Sequence, residues 1–267
     1  MTEPILIGIN GAAGRMGQRL IHLTQEDREL RLALAMEVPE HPQLDRDVGE
    51  MTGLGHLGVK LRCEMPLDVR VDVFIDFTSP EGTMSALMAC LERKLPLVVA
   101  TTGHSAAQKR DIKEAAHDIP LLMAPNMSLA VNVLFELVEQ AARLLKDRDF
   151  DVEVLEKHHR YKKDAPSGTA LQFGRIIQEA MGQTRIRHGR EGLVGERPRQ
   201  EIGMHALRVG DNVGEHTIFF STLGETLELT HRGHSRDSYA RGALQAAKFL
   251  AGKPAGRYSM KDVLGLG

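Results

Sequence analysis

The sequence predicts an α/β fold in two parts, a doubly wound parallel sheet and a smaller α+β domain with a mixed or antiparallel sheet. Three observations predict it. Short apolar runs alternate with helical patterns through the first half of the chain, as in parallel α/β sheets. A glycine-rich turn, Gly8 to Gly17, follows the first of those runs. From Ile202 onward, three strand-like runs come with no helix between them, which favours a mixed or antiparallel sheet.

Taken in order, Ile5-Leu6-Ile7-Gly8-Ile9 reads as a buried strand, Arg15 to Leu23 as a helix and Arg31 to Met36 as a second strand. Gly49 to Gly58 reads as a long loop or small excursion. Val71 to Phe77 is a strand running into Thr78-Ser79-Pro80-Glu81-Gly82, where Pro80 opens a helix because proline suits the first turn. Leu95 to Ala100, Ser105 to Ala116 and Pro120 to Ala124 continue as strand, helix and strand. Leu129 to Leu145 carries apolar residues at helical spacing, and Phe150 to Leu155 is strand-like. Gly182 to Gln200 is polar, basic and glycine-rich, and reads as a long loop. Ile202 to Val209, Glu215 to Ser221 and Thr226 to His231 are the three consecutive strands. The last helix, Ser238 to Leu250, resembles those of the first half and is expected to return and pack there. The expected domains are therefore residues 1–127 with 237–267, and residues 128–236.

Composition narrows the function. A hydrophobic content of 42% over 267 residues is enough for a real core. A formal net charge of -2 argues against a general nucleic-acid surface, so anions must be held by local clusters. Tryptophan is absent and aromatics are 4%, which argues against a base-stacking platform. Cys63 and Cys90 stand alone, without metal-type spacing, and read as reduced thiols. There is no signal-peptide pattern and no apolar run of bilayer length. The expectation is a cytoplasmic protein with no metal and neither a membrane nor a nucleic-acid partner.

In the glycine loop, Gly11, Gly14 and Gly17 are spaced by three, and Ala13 stands where the second glycine of G-x-G-x-x-G would be. Such a turn lets backbone N–H groups and a helix N-terminus face a pyrophosphate, and it serves equally as a strand-to-helix turn with no ligand. Glu37, at the end of the second strand, favours the first alternative. An acid there accepts hydrogen bonds from both ribose hydroxyls of NAD and repels a 2′-phosphate. The loops Phe77-Thr78-Ser79 and Ala100-Thr101-Thr102-Gly103 fall at strand C-termini, the edge where open α/β sheets bind ligands. Ser79 before Pro80 also reads as an ordinary helix cap.

The densest chemistry lies in E-V-L-E-K-H-H-R-Y-K-K-D-A-P-S-G-T-A, Glu153 to Ala170. It combines two histidines, several cations and a small-residue turn that opens a helix. Adjacent residues on a strand point to opposite faces, so His158 and His159 are poor partners for one metal ion. The N–H groups from Ser167 to Thr169 suit a carboxylate, and the same residues would also make a capped helix start with nothing bound. Lys162 lies four residues from both His158 and Pro166 and could neutralise a second carboxylate or supply a proton. Proton donors, positive charge and N–H groups together suit a small dianion.

On these residues the sequence resembles the dihydrodipicolinate reductase family. The likeness runs through G-x-x-G-R-M-G at Gly11 to Gly17, D-F-T-x-P-E-G-T at Asp76 to Thr83, T-T-G at Thr101 to Gly103 and N-x-S at Asn126 to Ser128. It continues with G-E-R at Gly195 to Arg197, R-x-G-D-x-V-G-E-H at Arg208 to His216 and M-x-D-V-L at Met260 to Leu264. The resemblance implies an NAD(P)H-dependent reductase of lysine and diaminopimelate synthesis, a homotetramer with a Rossmann domain completed by the C-terminal helix. It implies His158 and Lys162 as catalytic residues. For substrate binding it implies His159, Ser167, Gly168, Thr169 and Thr102. Cofactor contacts would come from Gly11, Ala12, Ala13, Gly14, Arg15, Met16 and Glu37, from Ala100, Thr101 and Thr102, and from Ala124, Pro125, Asn126 and Met127. Val38 stands where family members that use NADPH well often carry arginine, Ser79 replaces a basic residue found in some members, and a 2′-phosphate would have only Arg15 nearby to pair with. NADH is therefore expected to be preferred over NADPH. Ala130 and Gly233-His234 also depart from the family pattern.

Overall fold

The computed structural model describes residues 3–266. The chain runs β1 (Ile5–Asn10), α1 (Arg15–Glu26), β2 (Leu30–Met36), α2 (Val48–Thr52), β3 (Leu61–Arg62), β4 (Val73–Asp76), α3 (Pro80–Arg93), β5 (Leu97–Val99), α4 (Ala106–Ala115) and β6 (Pro120–Met123). It continues through α5 (Leu129–Leu145), β7 (Asp151–His158), α6 (Gly168–Met181), β8 (Arg185–His188), β9 (Glu201–Arg208), β10 (Gly214–Thr222) and β11 (Glu225–Gly233). It ends with α7 (Asp237–Leu250), β12 (Gly256–Tyr258) and α8 (Met260–Val263). Two compact units result, Met1–Leu129 with Asp237–Gly267, and Ala130–Arg236.

The first unit holds a seven-stranded sheet in the order β12-β6-β5-β4-β1-β2-β3, and every neighbouring pair is parallel. The chain moves outward from β1 through β2 and β3, then returns to β4 on the other side. That places a switch point between β1 and β4, at whose C-terminal ends such sheets bind ligands. Both faces are covered, which is why the strands read as near-continuous apolar runs. One face packs Ile7, Ile9, Ile75 and Val98 with Leu20 of α1 and Ala243 and Leu250 of α7. The other packs Phe74, Leu97 and Val99 with Leu87 of α3 and Ile112 of α4. The helix starts follow the local sequence. Ser79 accepts from the Gly82 N–H with Pro80 in the first turn, and Ser105 forms a capping box with Gln108. The C-terminal α7 is fastened to α1 by a bidentate pair from Arg19 to Asp237, both bonds 2.8 Å.

The second unit is a five-stranded sheet in the order β11-β10-β7-β9-β8. β9 runs parallel to β7 and β8, whereas β10 is antiparallel to β7 and β11. Along β7 the alternation is strict: Val152, Val154, Glu156 and His158 are buried, and the residues between them are half-buried. The buried face packs against α5 and α6, with Phe135 and Phe173 at 4.6 Å between ring centroids.

Several short elements were not placed by the sequence reading. Gly182 to Gln200 was expected as a loop, yet it contains β8, whose Arg-Ile-Arg-His sequence has no apolar alternation. β8 is an edge strand, paired only with β9, and an edge needs little burial to form. β12 is likewise a three-residue edge strand, too short and polar to be legible. The excursion near Gly49 holds α2, capped by Asp47, and β3 follows it.

Gly242 of α7 lies against the Met127 backbone, where a Cβ would overlap the Met127 carbonyl oxygen. Gly242→Ala is expected to lower stability by about 1–3 kcal/mol through overpacking. Urea unfolding checks this, and an unchanged midpoint would show that α7 yields at no cost.

Candidate active site

In the first unit the C-terminal sheet edge is organised by one carboxylate. Asp76 is fully buried at the end of β4. Its Oδ1 accepts from Asn10 Nδ2 at 2.9 Å and Thr78 Oγ1 at 2.6 Å. Its Oδ2 accepts from Thr83 Oγ1 at 2.6 Å and Thr101 Oγ1 at 2.7 Å. One group thereby ties the end of β1, the loop before α3, the first turn of α3 and the loop after β5. Thr101 also accepts the Thr78 N–H at 2.8 Å, so its hydroxyl works inside the edge, while Thr102 is exposed.

The glycine loop fits a dinucleotide. Gly11 has φ +79°, and a Cβ there would meet the Phe77 carbonyl oxygen at 2.6 Å, so the turn demands glycine. α1 follows Gly14 as its N-cap, with no side-chain cap and no acid in its first turn, which leaves the amides of Arg15 and Met16 to face an anion. Glu37 sits on this loop, its Oε2 accepting the Ala13 N–H at 3.3 Å. Loop and acid border one cleft of about 740 Å³. Among its described lining residues Arg93 is the one cation, against Glu37, Glu64, Glu81 and Glu92. The Arg93 guanidinium is committed to the carbonyls of Pro66 at 2.9 Å and Val69 at 2.8 Å. After β6, Ala124, Asn126 and Met127 are buried, Pro125 is exposed, and the Asn126 side chain accepts the Ser128 N–H at 2.9 Å.

In the second unit the signature segment closes around Glu156, which is fully buried. Its Oε2 is bonded to His158 Nδ1 and accepts from Arg208 Nη1 at 2.9 Å. Its Oε1 accepts from Arg208 Nη2 at 2.8 Å and from the Ser167 N–H at 3.0 Å. Burial alone would raise this carboxyl, but hydrogen bonds from His158 and Arg208 outweigh it and hold it at about 2. His158 ends β7, 7% exposed, with the His216 ring edge-on at 5.3 Å between centroids. Burial first, and then the neighbouring His158, lower His216 to about 3, so it stays neutral. Ser167 caps α6, accepting from the Ala170 N–H at 3.2 Å, and its Oγ lies 3.3 Å from His216 Nε2. Gly168 is exposed with open space at its Cβ position, and Thr169 is half-buried beside it. Lys162 pairs with Asp164 at 2.8 Å, and His159 is half-buried near Tyr161.

Thus His158, Ser167, Gly168 and Thr169 gather about the α6 N-terminus, with Lys162 on the loop leading to it. Three contributors carried no role in the sequence reading. Glu156 stood inside the quoted segment, although its i, i+2 spacing to His158 on a strand places both on one face. Arg208 and His216 lay inside a quoted motif, but only the register, His158 opposite Arg208 and Glu156 opposite His216, brings them in. No group of three or more metal-ligating side chains that could hold an ion occurs among the described residues. No helix among them is long and apolar enough to cross a membrane.

A doubly wound sheet with an uncapped glycine loop and an acid at the second strand is the arrangement of a dinucleotide-binding domain. Family models described as dihydrodipicolinate reductase, N-terminus and C-terminus, match residues 5–127 and 130–264. The 4-hydroxy-tetrahydrodipicolinate reductase of Syntrophus aciditrophicus (strain SB) is 46% identical, covering 96% of this chain and 97% of its own. That of Syntrophotalea carbinolica is also 46% identical, covering 98% and 99%. The chain belongs to the dihydrodipicolinate reductase family and is an NAD(P)H-dependent oxidoreductase of lysine and diaminopimelate biosynthesis. The fold agrees with a solved structure, a dipicolinate-bound dihydrodipicolinate reductase from Paenisporosarcina sp. TG-14, at TM-score 0.73 and 23% identity over 96% of this chain and 97% of that one. An amine dehydrogenase from Mycobacterium smegmatis shares the fold more loosely, at TM-score 0.60 and 11% identity over 97% of this chain and 95% of that one.

Asp76→Ala would remove the acceptor of four donors, three of them on buried residues, and is expected to cost several kcal/mol, at about 1–3 kcal/mol for each donor left unsatisfied. A calorimetric scan with and without NADH measures both the loss and the weakened binding. The pH dependence follows from the shifted groups. His216 is neutral when folded, so stability falls as pH drops from the ordinary histidine value of 6.5 toward 3, where the unfolded chain binds the extra proton. Glu156, lowered from 4.5 to about 2, adds a second loss between those values. Thermal midpoints across this range should show both declines, and His216→Gln should flatten the upper one.

Proposed function

We propose that this chain reduces 4-hydroxy-tetrahydrodipicolinate, or the dihydrodipicolinate formed from it by loss of water, to tetrahydrodipicolinate. NADH is the preferred donor, and His158 and Lys162 are the protonating groups. The observation that carries the reading is a histidine backed by a buried carboxylate beside the Ser167-capped N-terminus of α6, with a lysine on the adjoining loop.

The substrate class is a cyclic imine conjugated to a carbon–carbon double bond and carrying two carboxylates. The amides of Gly168 and Thr169 suit one carboxylate through the helix dipole. His159 and the cations of the Arg160–Lys162 stretch suit the other. Gripping both fixes the ring and lowers the barrier through positioning. Gly11 to Met16 and Glu37 would hold the pyrophosphate and ribose of a dinucleotide, Ala100 to Thr102 and Ala124 to Met127 would border its nicotinamide, and the chemistry it would supply there is a hydride. As the outer carbon of the conjugated system gains that hydride, the electron pair moves toward the ring nitrogen and the inner carbon, and one proton must follow. His158 holds Nδ1 on Glu156, so Nε2 is the atom that delivers it, with Lys162 as the second source. General acid catalysis of this kind contributes about 10²–10⁴-fold.

The cofactor preference rests on charge. Glu37 repels a 2′-phosphate, Val38 and Ser79 offer it no cation, and Arg93 in the same cleft is already bonded to two carbonyls. A homotetramer in the cytoplasm, with no membrane or nucleic-acid partner, completes the reading, which rests here on the family resemblance. Light scattering tests the assembly.

The activity test is oxidation of NADH by freshly generated dihydrodipicolinate synthase product, repeated with NADPH and with pyridine-2,6-dicarboxylate as inhibitor. A higher kcat/KM for NADPH would overturn the preference. Val38→Arg should move the ratio toward NADPH by about tenfold, the value of one charge-assisted bond. His158→Gln should lose mainly kcat, and Lys162→Ala should lower kcat and raise KM. Near wild-type activity in both variants removes them from the mechanism.

A further inference from the structure

We infer that Glu156 and Arg208 form a positioning clamp for the reduction, one that keeps a proton on His158 Nδ1 so that Nε2 alone exchanges protons with substrate. The inference rests on the reading of His158 as the proton donor and deepens it. It follows from counting donors and acceptors around Glu156. An ionised carboxylate only accepts, and each of its oxygens here meets two partners. Arg208 Nη1 and Nη2 and the Ser167 N–H can only donate. The remaining partner, His158 Nδ1, must therefore donate as well. Once His158 has given up its Nε2 proton, the neutral ring is left as the Nδ1–H tautomer, ready to be reprotonated at Nε2.

Arg208 makes this possible. A carboxylate wholly removed from water is costly unless a charge and full hydrogen bonding match it. A planar guanidinium bonded to both oxygens supplies that match and fixes the carboxylate plane, which a lysine would not. The same guanidinium reaches the Asp164 carbonyl at 2.5 Å, and the Asp164 carboxylate holds Lys162 at 2.8 Å. The Ser167 N–H on Glu156 sets where α6 begins. One ion pair thereby aligns the histidine, the lysine loop and the start of the helix. His216, packed on the other side of His158, adds no competing charge because it is neutral.

The test uses the full-length protein and has two independent readouts. Long-range proton–nitrogen NMR of histidine-labelled wild-type protein, assigned with His158→Gln, reports which ring nitrogen of neutral His158 carries hydrogen. The expected result is Nδ1, and a proton on Nε2 overturns the clamp. Steady-state kinetics then compare Glu156→Gln and Arg208→Lys with His158→Gln. Both clamp variants should lower kcat by about 10²–10⁴-fold, as loss of the correct tautomer does elsewhere, with KM and binding of pyridine-2,6-dicarboxylate changed only a few-fold. Full kcat in both while His158→Gln is inactive overturns the clamp and leaves the function reading standing. Full kcat in His158→Gln overturns the function reading itself, whatever the tautomer. Should Glu156→Gln fail to fold, the wild-type NMR result and Arg208→Lys still decide.

Discussion

The burial of a carboxylate sets the terms for the second unit. Glu156 has no contact with solvent, and an ion so placed is tolerated only when every lone pair is matched. Four donors from β7, β9 and the residue before α6 converge on it. Because their directions are fixed by strand register and helix start, none can shift without leaving charge unpaired. The low pKa of Glu156 is the chemical trace of that constraint. His158 and the start of α6 border this pair directly, and the loop that carries Lys162 is tied to it through Asp164.

Asp76 applies the same principle to the first unit with a different set of donors. Its four partners are an amide and three hydroxyls, all neutral. Neutral donors satisfy the carboxylate without bringing a cation to the sheet edge, and the neighbouring cleft keeps its acidic lining. The two buried acids thus organise their surroundings with different partners, one charged and the other neutral. Glu156 is matched by a guanidinium bonded to both its oxygens, and Asp76 by neutral groups at an edge that also holds Glu37.

Much of this was legible from local pattern. The glycine loop, the Ser79-Pro80 helix start and the apolar runs of β1, β4 and β5 are set by near neighbours, so spacing alone reveals them. His158 and Lys162 were legible through a dense motif. β8 and β12 were not, because an edge strand paired on one side needs no alternating apolar face. The role of Arg208 was illegible for another reason. It lies 52 residues from Glu156, and a parallel β7–β9 pairing with α6 and β8 between them sets their meeting. No period in the sequence reports that register.

The sequence by itself determined the longer strands and helices, where the chain turns on glycine, and which family of reductases it joins. All of these depend on side-chain periodicity, backbone freedom or an unbroken motif. Only the tertiary structure decided which donors meet Glu156 and Asp76, which nitrogen of His158 faces the carboxylate, and that the hydroxyls of Thr101 and Ser167 work inside the protein. Hydrogen bonds act over about 3 Å and demand direction. Groups far apart in the chain come within that range only after strand order and register are fixed.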